Sequence, residues 1–136
     1  MLRIVVITHG NFGMELLRTA EGIVGPQPDA VVITLNPHES LSGLCERVGQ
    51  TVQVIANPDG ILVLTDMLGG TPCNACLPFC AQARMEIISG VNLYMLLSAF
   101  INSKALSVEE LAKKVVNDGK KNITNAKETF MARLEQ

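Results

Sequence analysis

The sequence predicts an α/β fold, with a single open, mostly parallel β-sheet and helices on both of its faces. Four short apolar runs alternate with segments of helical periodicity, which is typical of βαβ units. Hydrophobic residues make up 48% of the 136 residues, yet the chain has only four Phe, one Tyr and no Trp. The core must therefore be aliphatic, as it is in sheets that are buried on both faces. At this length we expect one domain over residues 1–136.

The predicted strands are the four apolar runs, most of which are bounded by turn residues. They cover Leu2–Thr8, Ala30–Leu35, Gly60–Asp66 and Met85–Ser89. Between these runs, apolar residues recur at helical spacing from about Asn11 to Val24 and from Ser40 to about Ala56. Because strands that alternate with helices are usually parallel, these segments predict crossover connections within one sheet.

A third helix is predicted to begin at Thr71, with its hydroxyl at the N-cap and Pro72 as the first helical residue. Pro78 should kink or shorten it. Three cysteines fall on one face of this helix, at Cys73, Cys76 and Cys80. Packing as small buried side chains is the first interpretation for a reduced protein. A redox pair or half of a zinc site is the alternative that the Cys-x-x-Cys spacing leaves open.

The C-terminal part of the chain is predicted in less detail. Ser107 and Glu110 form a capping box, and we expect Gly119 to end the helix that it opens. The segment 119–136 fits an antiparallel edge strand, a helix or a tail. Since a four-stranded parallel sheet leaves an edge to be covered, we expect a homodimer in which this segment and the apolar Leu93–Leu97 provide the cover.

The predicted topology brings His9 and Asp66 together. Crossovers between parallel strands are right-handed, and a sheet of order 2-1-3-4 reverses direction between strands 1 and 3. These two strands deliver His9 and Asp66 at their carboxyl ends, where ligands bind in open α/β sheets. A glycine-rich turn follows Asp66 and opens the third helix. Its residues Gly69, Gly70 and Thr71 are predicted to present backbone N–H groups to an anion the size of phosphate.

These residue types suit phosphoryl transfer. A carboxylate such as Asp66 that binds one nitrogen of His9 fixes the tautomer, leaves the other nitrogen free to attack and stabilises the positive ring that forms. Positioning and charge stabilisation then supply most of the catalysis. The chain has no Gly-x-Ser-x-Gly elbow for serine hydrolysis, and neither a Walker lysine nor a Gly-x-Gly-x-x-Gly fingerprint for nucleotides.

Composition and charge argue against some classes of binding partner. The formal net charge is -2 and no basic stripe stands out, so nucleic acid is not an expected partner. No apolar stretch reaches the roughly 20 residues that span a bilayer, and the first apolar run is too short for a signal peptide. We expect a cytoplasmic protein without a metal or other cofactor. His38 precedes a helix with no evident partner, and we interpret it as a loop residue.

Three motifs occur in order along the chain: Val6–Gly10 before a helix, Leu64–Asn74, and Ser89–Leu93. Over about residues 2–101, the chain resembles the enzyme IIA domain of the mannose family of the bacterial phosphoenolpyruvate-dependent sugar phosphotransferase system. The resemblance implies that His9 accepts a phosphoryl group from the carrier HPr and passes it to a IIB component. It also implies that Asp66 is the partner of the histidine and that Gly70 and Thr71 lie at the phosphate.

The chain departs from the family pattern around the site. The family often has an aromatic residue where Leu68 stands, commonly Phe where Cys73 stands, and commonly Pro where Tyr94 stands. We expect these changes to alter the docking surface and not the chemistry. We also expect the IIB acceptor on a separate chain, and contact with the membrane only indirectly, through transporter components.

Other functions remain open from the sequence. One alternative is a regulatory module in which His9 is a phosphorylatable signal, and another is the phosphoryl donor of dihydroxyacetone kinase, which shares this fold. A thiol-redox or metal-binding module built on Cys73 and Cys76 belongs to a different class. The sequence does not identify the sugar, because the membrane components select it.

Overall fold

The computed structural model describes residues 1–136 and contains one four-stranded sheet in which every pair of neighbouring strands is parallel. Its order is β2-β1-β3-β4, which confirms both the predicted fold class and the predicted strand order. The strands are β1 (Arg3–His9), β2 (Val31–Leu35), β3 (Ile61–Thr65) and β4 (Met85–Ile88).

Six α-helices and one 3₁₀ helix connect and cover the strands. The helices are α1 (Phe12–Val24), α2 (Leu41–Ile55), α3 (Thr71–Asn74), α4 (Leu93–Asn102), α5 (Val108–Lys121) and α6 (Ala126–Leu134), and the 3₁₀ helix is Leu77–Phe79. None of them combines the length and the apolar character that a membrane crossing requires.

The sheet is buried on both faces. Along β1, alternate side chains point to opposite sides, so that Ile4 and Val6 belong to one cluster while Val5 and Ile7 belong to another. The first cluster lies under α1, α4 and α5, and the second lies under α2 and under Ala75 and Cys76, which follow α3. This two-sided burial explains why the strands read as continuous Val, Ile and Leu runs. Because all four strands are parallel, their carboxyl ends lie at one edge of the sheet, and the candidate site is at this edge.

The C-terminal segment 119–136 does not form the edge strand that was one of its three predicted structures. No antiparallel edge strand forms; 119–136 contains the end of α5 and then the helix α6. Gly119 does not end α5, which continues to Lys121. Gly119 is buried where α4 approaches α5, and a Cβ at this position would lie 2.5 Å from Cγ of Met95. The glycine therefore serves close helix packing, a requirement that local sequence signals for a helix end do not reveal.

The third helix is short, as Pro78 predicted, but it begins one residue earlier than predicted. The N-cap is Gly70, so that Thr71 is already helical and its hydroxyl makes no capping hydrogen bond. The α-helix stops after Asn74, and Pro78 lies in the 3₁₀ helix. After the helix breaks, Cys80 is exposed, whereas Cys73 and Cys76 are buried.

Candidate functional site

The parallel register places His9 beside Asp66. β1 ends at His9, and Ile7 pairs with Thr65, so the residues that follow these pairs emerge together at the carboxyl edge. The ring Nδ1 of His9 lies 2.6 Å from Oδ2 of Asp66, and the backbone N–H of His9 donates to the same oxygen at 2.9 Å. The second oxygen, Oδ1, accepts the backbone N–H of Met67 at 3.0 Å. Three donors therefore surround this carboxylate and fix its orientation.

The environment of Asp66 keeps it ionised. Partial burial acts to raise the pKa of Asp66, but hydrogen bonds from the backbone and the ring of His9 outweigh it, so the pKa of Asp66 lies below its usual range. A charged carboxylate can only accept hydrogen bonds. The ring nitrogen that faces it, Nδ1 of His9, must therefore carry the proton.

The other ring nitrogen of His9 is free. With the proton on Nδ1, Nε2 has its lone pair available, and it makes no hydrogen bond within the chain. The His9 side chain is 47% exposed, whereas that of Asp66 is 17% exposed. The arrangement thus leaves the ring of His9 accessible to solvent, while the carboxylate of Asp66 that orients the ring is largely buried.

The glycine turn lies directly against the ring. Gly69 has φ +80°, a conformation that favours glycine, and its carbonyl accepts a hydrogen bond from the Asn74 side chain at 3.2 Å. A Cβ on Gly70 would lie 3.2 Å from Cε1 of His9, so the turn can approach the ring only because this residue has no side chain. The N–H of Gly70 donates to the Met67 carbonyl at 3.3 Å and closes the turn. Of the three backbone amides that were predicted to bind an anion, those of Gly69 and Thr71 have no hydrogen-bond partner in the chain.

Two further residues hold the site in place and were not singled out from the sequence. Thr8 is fully buried, and its hydroxyl accepts the N–H of Gly13 at 2.7 Å, which ties the end of β1 to the first turn of α1. Asn11, the N-cap of α1, makes no such side-chain bond. Asn74 closes the glycine turn. Two sequence features could have identified them: the hydroxyl of Thr8 at the end of a buried strand, and the side-chain amide of Asn74 shortly after a pair of glycines.

An apolar rim lies at the edge of the sheet that carries His9. It consists of five exposed side chains, one or two after each strand of the sheet: Phe12, Leu41, Met67, Leu68 and Tyr94. Leu68 is the most exposed of them, at 80%. The segments that leave the sheet at this edge, 10–14, 36–41, 66–71 and 89–94, contain no Lys or Arg. A surface of this kind, apolar and close to a reactive group, is typical of sites where another protein docks.

Two of the four cysteines are buried. All four are free, with Cys73 and Cys76 buried and Cys45 partly so. Burial, together with the neighbouring Cys73, Cys80 and Cys45, raises the pKa of the Cys76 thiol to about 12. A protonated, buried thiol is a poor nucleophile, which favours packing over redox chemistry. No three or more His, Cys, Asp or Glu residues are grouped so that they could hold a metal ion.

Comparison with known proteins gives a consistent result. Residues 3–116 match the family described as "PTS system fructose IIA component". The chain is 30% identical over 112 residues to the fructose-specific EIIA component of the PTS system of Bacillus subtilis (strain 168), a match that covers 82% of this chain and 77% of that protein. The crystal structure of the phosphotransferase system component EIIA from Streptococcus agalactiae superposes with a TM-score of 0.85 at 30% identity, covering 92% of this chain and 97% of that one.

The chain belongs to the mannose-family IIA components of the phosphotransferase system. It is also 31% identical over 124 residues to the mannose-specific EIIAB component of Escherichia coli (strain K12), where the match covers 90% of this chain but 38% of that longer protein. IIA components are phosphotransferases that serve as phosphocarriers in sugar transport and work with HPr and IIB partners. The resemblance in the three sequence motifs is thereby confirmed at the level of the family.

Proposed function

We propose that this IIA component accepts a phosphoryl group from phospho-HPr on Nε2 of His9 and passes it to a IIB component for sugar uptake. The observation that carries the proposal is the 2.6 Å contact between Nδ1 of His9 and Asp66, which leaves Nε2 as the free, half-exposed nucleophile. Membership of the family also supports a role as a phosphocarrier in sugar transport.

The transfer exchanges one phosphorus–nitrogen bond for another. The Nε2 lone pair of His9 attacks the phosphorus of the donor phosphohistidine, and the electrons of the breaking bond return to the donor ring. The His9 ring becomes cationic as the new bond forms, and the charge of Asp66 stabilises it. In this proposal, the amides of Gly69 and Thr71, which have no partner in the chain, donate to phosphoryl oxygens. The second transfer, to the acceptor side chain of IIB, repeats these steps with His9 as the leaving group.

The direct test is reconstitution. We expect incubation with phosphoenolpyruvate, enzyme I and HPr to add one phosphoryl group to the intact chain, as measured by mass spectrometry. Addition of a IIB component should then remove it. A chain that gains no phosphoryl group under conditions where HPr is fully phosphorylated would contradict the proposal.

We expect Leu68→Asp to weaken docking without affecting the chemistry. Leu68 lies in the apolar rim next to His9, and an acidic side chain there would be buried against any protein that reaches the ring. We expect the KM for phospho-HPr to rise about tenfold, the effect of losing one interface anchor. Phosphorylation by the small donor phosphoramidate should be unchanged.

Val54→Asp is the matched control. Val54 is 84% exposed, but it lies near the end of α2, at the opposite edge of the sheet. We expect wild-type kinetics with phospho-HPr from this variant. If the two variants behave alike, the apolar rim is not the docking surface.

We expect Gly70→Ala to slow phosphorylation of His9 from both donors. The added Cβ, 3.2 Å from Cε1 of His9, forces the ring or the turn to shift by a few tenths of an ångström. Because misplacement of reacting groups is costly, the rate should fall about tenfold or more. Gly22→Ala is the control, since a Cβ on Gly22 meets nothing within 4 Å. Equal rates for the two variants would show that the ring position does not depend on Gly70.

We also propose that the chain is a homodimer. β4 is an edge strand with no neighbour on its outer side, and such edges are normally covered. The sequence prediction assigned part of the cover to Leu93–Leu97. In the structure Met95 and Leu96 are buried within their own chain, so most of the cover has to come from another element.

A further inference from the structure

Asn74 holds the glycine turn beside His9 through both its side chain and its backbone. The side-chain Nδ2 donates to the carbonyl of Gly69 at 3.2 Å, and the backbone N–H donates to the carbonyl of Gly70 at 3.0 Å. These carbonyls belong to two successive peptide groups, Gly69–Gly70 and Gly70–Thr71. One half-buried residue of α3 therefore binds both of them.

The two amides without a partner lie on either side of the peptide group that the Asn74 side chain holds. The N–H of Gly69 comes just before the Gly69–Gly70 group, and the N–H of Thr71 comes just after it. Because each peptide group is planar, the direction of an N–H is set by the carbonyl of the same group. Rotation of the Gly69–Gly70 group therefore decides whether both free amides can point at one anion.

Little else in the turn restricts this rotation. Neither glycine has a side chain to limit its backbone angles, and Gly69 has φ +80°. The Gly69–Gly70 group has one other hydrogen bond, from the N–H of Gly70 to the carbonyl of the exposed Met67 at 3.3 Å. α3 adds little order of its own, since it has four residues and its N-cap makes no side-chain hydrogen bond. The Asn74 side chain is therefore the main restraint from outside the turn.

We propose that Asn74 is a positioning residue for phosphoryl transfer, which keeps the amides of Gly69 and Thr71 directed at the phosphoryl group on His9. This inference rests on the proposed function and adds to it a residue that acts through the turn. Hydrogen-bond donors stabilise developing charge most when they are oriented before the reaction begins. Without the Asn74 side chain both amides are still present, but the link between them is free to rotate.

Asn74→Leu tests this role because it removes the donor while it keeps the approximate size and the charge of the side chain. We expect kcat for transfer from phospho-HPr to fall about tenfold, which is less than the loss of a whole donor would cost. The KM for phospho-HPr should be unchanged, since the docking surface is not altered. Phosphorylation by phosphoramidate should slow by the same factor.

Asn102→Leu is the matched control. Its side-chain Nδ2 also donates to a backbone carbonyl, that of Ser98 at 2.9 Å, but it is the last residue of α4 and lies away from the glycine turn. We expect wild-type kinetics from this variant. Circular dichroism should show native folding in both variants, and Asn74→Ala provides a second way to remove the donor. Wild-type kcat in a folded Asn74→Leu or Asn74→Ala variant would overturn the proposal.

Nuclear magnetic resonance of the phosphorylated chain separates positioning from a purely structural role. In the wild type, phosphorylation of His9 should move the amide protons of Gly69 and Thr71 downfield, because they then donate to phosphoryl oxygens. In Asn74→Leu, phosphorylated to completion as judged by mass, these shifts should be smaller. Equal shifts in the two proteins would overturn the inference while the proposed function stands. A wild type that gains no phosphoryl group would instead contradict the proposed function, and this inference with it.

Discussion

His9→Ala is expected to abolish phosphorylation by both phospho-HPr and phosphoramidate. In the proposed mechanism Nε2 of His9 is the nucleophile, and the chain has no Gly-x-Ser-x-Gly elbow that could take over. The wild-type product should be a phosphoramidate, which is labile in acid and stable in base. Mass spectrometry of the intact chain before and after brief acid treatment, followed by peptide mapping, measures both properties.

His38 provides the control for this experiment because it is the only other histidine. It lies in the turn after β2 with φ +67°, and it forms no ion pair or side-chain hydrogen bond. His38→Ala should therefore be phosphorylated like the wild type. Label that persists in His9→Ala, or that maps to His38, would show that the acceptor has been assigned wrongly.

The sheet and the meeting of His9 with Asp66 were predictable because they depend on rules with few exceptions. Buried parallel strands are continuous aliphatic runs, and right-handed crossovers leave few possible strand orders. Once the order is 2-1-3-4, the ends of β1 and β3 must be neighbours. The 2.6 Å contact is a consequence of this topology and of the residue that follows β3.

The errors arose where tertiary packing overrides local signals. Gly119 resembles a helix end, but it is needed where Met95 of α4 approaches α5. In the same way, the hydroxyl of Thr71 resembles an N-cap, but Gly70 takes that position and Thr71 is already helical. Such contacts join residues that are distant in sequence, and a local pattern does not contain them.

The details of the site could not be predicted for a related reason. The sequence indicated that Gly69, Gly70 and Thr71 would offer amides, but the turn uses the N–H of Gly70 for its own closure to Met67. The close approach of Gly70 to the His9 ring likewise depends on tenths of an ångström in the backbone path, which residue types do not specify. Residue types establish which groups can act, while the backbone path decides which of them are free.

Asp66→Asn is expected to slow transfer about a hundredfold while the chain remains folded. Three donors face the wild-type carboxylate: two from His9 and one from Met67. An amide has a single acceptor oxygen, so if that oxygen keeps the His9 contacts, its NH₂ group faces the N–H of Met67. More importantly, a neutral amide cannot balance the cationic ring that forms during transfer.

Rapid-quench kinetics with phospho-HPr and with a IIB component would measure this loss in both directions of transfer. Asp59→Asn is the control, because Asp59 is paired with the N-terminus and far from His9 in the sheet. Thermal unfolding adds a second readout. Since the pKa of Asp66 is lowered in the folded chain, its ionisation stabilises the wild type above the ordinary pKa of the group, and this stabilisation is lost as the pH falls through the lowered value. Asp66→Asn should lack this pH-dependent contribution. If it also transfers phosphoryl groups at the wild-type rate, Asp66 only holds the end of β1 in place, and the charge on the His9 ring must be balanced by the partner protein.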